Sequence, residues 1–65
     1  MKKTEVIVRM GNETYYYCFP LNKEVYLKRW DNQLAGAGYF AGEDDLGNEI
    51  VINPSLCGIV EITEV

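Results

Sequence analysis

The chain has 65 residues, enough for one domain spanning 1–65 but too few to bury more than about 60% of its unfolded surface. With 48% hydrophobic and 25% charged residues, it lies outside the composition of disordered chains, which combine low hydrophobicity with high charge. Six Lys and Arg against ten Asp and Glu leave a net charge of −4, without the broad basic footprint of a duplex nucleic-acid binder.

Met1-Lys2-Lys3 runs directly into "TEVIVRM". No apolar leader is visible, and no later apolar run approaches the roughly 18 residues of a membrane span. A soluble, cytoplasmic protein with no membrane partner is expected. In residues 4–10, Val6, Val8 and Met10 alternate with Glu5, Ile7 and Arg9, the period of a strand. "GNE", 11–13, supplies a turn, because Gly and Asn tolerate positive φ. Residues 14–19 make the second strand of a hairpin, which Pro20 ends by lacking an amide proton.

Over 22–35, Asn22 is suited to cap a helix, with Glu24 favourably placed in its first turn. Tyr26, Leu27, Trp30 and Leu34 share one helical face, and Gly36 and Gly38 are natural stops. A strand over 24–30 is the competing assignment. "GYFAG", 38–42, reads as a short strand and "EDDLGN", 43–48, as a polar turn with positive φ at Gly47. "NEIVIN", 48–53, is a strand broken by Asn53-Pro54-Ser55, and "LCGIVEITEV" is the last strand. The fold class is therefore α+β, in the order β-β-α-β-β-β. We expect a small twisted antiparallel sheet or half-barrel, with one short helix across its core face.

A sheet with one wet face should alternate cleanly, and this one does not. Val6, Val8, Tyr15, Tyr17, Phe19, Ile50, Ile52, Val60 and Ile62 could fill the core. Ile7, Tyr16, Cys18, Val51 and Ile59 are then left outside. Apolar residues on adjacent strands form patches, and such patches mark interaction sites. The chain is expected to pair with itself as a homo-oligomer; the alternative is a closed barrel whose own loops cover the second face.

There is no histidine, and with it go the commonest general base and every Ser/His or Cys/His arrangement. No CxxC, HExxH, P-loop or GxGxxG pattern is present. Glu43-Asp44-Asp45 lacks the alternating ligand spacing of a calcium loop. No catalytic residue, metal or cofactor is expected, and the chain reads as a non-enzyme. Cys18 and Cys57 are expected to be free thiols, one intramolecular disulfide being the alternative. What remains is a binding vocabulary. Aromatic rings stack on bases for about 1–3 kcal/mol each, and arginine grips phosphate bidentately. Tyr16, Arg29 and Trp30, with Lys28, Arg9, Asn53 and Ser55, are the candidate contacts for a small anionic, nucleotide-like ligand at a subunit boundary. Equally, Trp30 could be core, with Lys28 and Arg29 on the wet face of the helix.

The second half, with Gly47, Ile50, Ile52, Asn53-Pro54, Ile59 and Glu61, resembles the C-terminal half of short proteins encoded by phages and mobile elements of bacteria. In those a polar turn leads to a strand ending in Asn-Pro and a final I-x-x-I-x-E strand. Cys57 and Gly58 depart from that pattern. The resemblance implies a non-enzymatic protein of the host-cell cytoplasm, used during infection. One expectation is an anti-defence sponge that sequesters a nucleotide-type immune signal. The alternative is an inhibitor that contacts a host protein through the acidic 43–45 turn, in imitation of nucleic-acid phosphate.

Overall fold

The structure, a computed structural model, describes residues 2–65. Strands β1 (Thr4–Met10) and β2 (Glu13–Phe19) form an antiparallel hairpin joined by Gly11-Asn12. Gly11 has φ 60°, whereas Asn12 does not adopt positive φ. That is the pattern of a II′ turn, in which glycine takes the first central position. The register runs without a skip from Met10 opposite Glu13 to Thr4 opposite Phe19.

Helix α1 (Lys23–Ala37) follows. The Asn22 side chain accepts a hydrogen bond from the Val25 amide at 2.9 Å, and Gly38 closes the helix at φ 82°. Of the two stops expected, Gly36 is absorbed into the helix and Gly38 ends it, because only the latter takes the left-handed conformation. Strands β3 (Phe40–Glu43) and β4 (Glu49–Ile52) form a second antiparallel pair. A 3₁₀ turn (Pro54–Leu56), capped by Asn53, leads into β5 (Ile59–Glu64), which pairs with the other side of β1. The observed order is the β-β-α-β-β-β order of the sequence, and the fold is α+β. The strands divide into a three-stranded sheet, β2-β1-β5, and the two-stranded β3-β4 ribbon.

Alternation fixes what each face carries. Val6 and Val8 of β1, Phe19 of β2 and Ile52 of β4 are buried on the inner side, with Val60 and Ile62 of β5 packed against them. The helix covers one end of this face by inserting Tyr26 among Phe19 and Phe40, with ring centroids 4.9 Å from each. Trp30 stacks on Phe40 at 5.7 Å. Polar ties at two part-buried places help hold the cover down. The Thr4 hydroxyl, itself buried, donates to the Leu21 carbonyl at 2.9 Å. The Gln33 amide bonds both the N–H and the C=O of Ala41, at 2.7 and 3.0 Å, and so occupies one edge of β3 as a neighbouring strand would.

Candidate functional site

Helix α1 covers the Phe19 end of the inner face and leaves the other end open. There Val8 and Met10 of β1 and Tyr15 and Tyr17 of β2 form one wall of a groove of about 400 Å³. Val51 and Ile52 of β4, then Asn53, Leu56 and Cys57, form the other. The rim is apolar and wet: Met10 is 40% exposed, Tyr15 39%, Val51 62% and Leu56 74%. The volume is that of a small-ligand site. The polar groups are few, and several are already engaged. The Asn53 amide oxygen accepts from the Ser55 amide and hydroxyl, and the Cys57 thiol donates to the Asn53 carbonyl. The Tyr15 hydroxyl donates to the Glu13 carboxylate, which pushes the phenol pKa up, so Tyr15 stays neutral at physiological pH. Among the described residues, no charged side chain lines the groove. Its chemistry suits an apolar or aromatic surface, not a phosphate.

The opposite face of the sheet is mixed. Its rows are Glu5 with Cys18 and Thr63, Ile7 with Tyr16 and Glu61, and Arg9 with Thr14 and Ile59. Tyr16 is 65% exposed, but the Arg9–Glu61 ion pair runs through this face and breaks up its apolar area. Ile7, Tyr16, Cys18 and Ile59 therefore face outward as the alternation predicts. Val51, expected to join them, instead stands beside the groove because β4 belongs to the second ribbon. Burial and then the Asp45 carboxylate push the Cys18 thiol pKa up, which argues against a reactive thiolate there. Both cysteines are free.

Within one chain the seven candidate contacts fall into three places. Arg9 and Tyr16 share the outer face of the sheet. Lys28, Arg29 and Trp30 lie on α1, which packs on the inner face. Lys28 and Arg29 are exposed, Lys28 facing Glu24 at 3.8 Å, whereas the Trp30 ring is committed to the core. Asn53 and Ser55 bond each other in the 3₁₀ turn. The N-terminus of α1, the natural anion site of such a fold, already holds a carboxylate. Glu64 accepts from the Lys23 amide at 3.0 Å and faces Lys2 at 3.5 Å, and the Lys23 amide in particular holds its pKa below the usual range.

The acidic turn is also largely self-satisfied. Asp44 is buried, and its carboxylate accepts from the Leu46 and Asn48 amides at 3.0 and 2.8 Å. Asp45 faces Lys3 at 3.4 Å. Glu43 and Glu49 stand directly opposite each other across β3 and β4, both exposed. No group of three or more His, Cys, Asp or Glu able to hold a metal occurs among the described residues, and no helix there is long and apolar enough to cross a membrane. The groove was missed in the sequence because its two walls are some 40 residues apart; the signal present was Leu56 and Val51 beside the Asn-Pro break. No family model matches this chain, nor does any curated protein or solved structure.

Proposed function

We propose that the chain is a non-enzymatic binding protein that works as a homo-oligomer in the cytoplasm. The observation that carries this reading is the uncovered apolar end of the inner face, where Met10, Tyr15, Val51 and Leu56 remain exposed around the groove. A 65-residue chain has little stability to spare, and covering this surface with another copy adds burial at no cost in chain length. The resemblance to short phage-encoded proteins supports a narrower form of the proposal: an anti-defence sponge that holds a nucleotide-type signal between copies. Because no single chain gathers Tyr16, Arg9 and Arg29, the ligand site in this form is built where the outer face of one copy meets the helix of another.

Native mass spectrometry of the purified protein tests the assembly and any co-purified ligand together. An oligomer is expected, and a monomer at all concentrations overturns the reading. Calorimetry against cyclic dinucleotides and cyclic ADP-ribose isomers tests the ligand class. Heat that Arg29→Ala and Tyr16→Ala abolish supports the sponge; no heat from a folded oligomer removes it.

One observation favours a second reading, inhibition of a basic host protein. Glu43 and Glu49 oppose each other directly, an arrangement that destabilises a ladder and is retained here at the surface. This reading expects pull-down of a host protein that weakens with salt and with Glu43→Gln and Glu49→Gln. Salt-insensitive capture overturns it.

A further inference from the structure

We infer that the outer edge of β2 is the surface through which two copies join, by antiparallel pairing of β2 with its counterpart about a two-fold axis at Tyr15. The inference rests on the self-association proposed above; the sheet it forms keeps both helices on the inner side, so it is a contact separate from the meeting of helix and outer face in the sponge reading.

The backbone shows which groups are free. In a strand, a residue's N–H and C=O point to the same side and alternate along the chain. The Cys18 carbonyl accepts from the Asp45 amide at 2.8 Å, so Cys18 faces away from β1. By alternation Tyr16 and Thr14 face the same way, while Glu13, Tyr15 and Tyr17 bond to β1. The hairpin turn agrees, since a two-residue loop is closed by a hydrogen-bonded pair, here Met10 with Glu13. Among the described residues, no backbone bond is made on the outer side of β2 at Thr14 or Tyr16. Two donors and two acceptors are thus presented to whatever lies beside them.

This edge has little of the usual protection, Glu13 at its start being its one charge. Residues 13–17, "ETYYY", contain no lysine, proline or bulge. The edge of β3 by contrast is stopped by the Gln33 amide. The β3–β4 turn meets β2 at Cys18, and the chain then crosses the inner face until the Gly58 amide donates to Arg9 at 2.9 Å, so it does not run along the rest of β2.

The occupant follows from register. With the axis at Tyr15, Tyr16 of each copy exchanges both hydrogen bonds with Thr14 of the other, and all four free groups of each strand are used. Cys18 falls opposite Asn12, beyond the pairing, so the Asp45 bond survives. An axis at Tyr16 would instead set Thr14 against Cys18, whose carbonyl is taken. The charges are compatible as well: Glu13 faces Tyr17 of the other copy, and no like charges are opposed. The result is a continuous six-stranded sheet. The two Tyr15 rings meet on the inner side, and the two grooves lie next to each other across the axis.

Cysteine cross-linking and hydrogen exchange test this. In a Cys18→Ser, Cys57→Ser background, Tyr15→Cys sets two cysteines at a non-hydrogen-bonded pair with Cα atoms roughly 4.5 Å apart, within disulfide reach. Ile59→Cys places them about 24 Å apart, five strand spacings away. Mild oxidation is expected to give a covalent dimer from Tyr15→Cys and none from Ile59→Cys. In the unmodified protein, the Thr14 and Tyr16 amides are expected to become protected as concentration rises. Oligomers by light scattering that leave those two amides unprotected, or that cross-link at Ile59→Cys but not Tyr15→Cys, overturn the edge while leaving self-association standing. A monomer at all concentrations overturns both.

Discussion

The two ends of the inner face are built from the same three strands, yet they differ in what lies over them. At the Phe19 end, α1 brings Tyr26 and Trp30 onto Phe19 and Phe40, and a close-packed aromatic cluster results. At the Tyr15 end the strands continue with equally apolar residues, but the cover is reduced to β4 and the 3₁₀ turn, leaving a groove. Strand alternation alone does not decide what is core. The placement of the helix does: α1 sets Tyr26 and Trp30 against Phe19 and Phe40, not against Tyr15.

Truncation should break this contrast most sharply. Phe19→Ala at the covered end removes a ring in contact with two others and should cost about 3–5 kcal/mol, read by urea or thermal unfolding. Tyr15→Ala at the open end should cost the isolated monomer far less and act mainly on assembly. Equal losses from both would mean that the groove end is as well packed as the helix end.

Gln33→Ala comes next. It strands the N–H and C=O of Ala41, both part-buried, and a loss of about 1–3 kcal/mol is expected in the same assay. Tyr26→Phe sharpens the comparison from the other direction. The Tyr26 hydroxyl is buried without a hydrogen-bond partner among the described residues, so removing it should leave stability unchanged or raise it by about 1 kcal/mol. A clear loss would show that the hydroxyl is satisfied in solution.

The smallest effect concerns acid. The folded pKa of Glu64 lies below its ordinary value, first because of the Lys23 amide and then through Lys2. A carboxyl so depressed contributes stability above its unfolded pKa, and that contribution fades as pH falls through the folded value. Glu64→Gln should therefore lower stability slightly at neutral pH and leave it unchanged below the folded pKa, flattening the acid limb of a stability-versus-pH curve. An unaltered acid limb would count against the Glu64–Lys23 tie.

Much of the fold was legible because it rests on local signals. Val6 and Val8 announce β1 by alternation, Gly11 the turn, Asn22 the helix start and Asn53-Pro54 the end of β4. The ambiguity over 24–30 is resolved by tertiary contact: Tyr26, apolar in either assignment, meets Phe19 and Phe40 from a helix. The division into two sheets was not legible, since it depends on Gln33 filling the edge of β3, a contact no periodicity encodes. The candidate site was the least visible. Trp30 has the same sequence signature whether it stacks on a base or on Phe40. Arg9 and Arg29 are equally cationic, but one is paired with Glu61 and the other is exposed on the helix.

The central claim is that one copy leaves apolar surface which a second copy covers. Light scattering across a concentration series on the unmodified protein tests it most directly. The account predicts a mass above the 7.4 kDa of a single chain, falling toward it on dilution. A folded species that stays at 7.4 kDa at the highest concentration reached would contradict it.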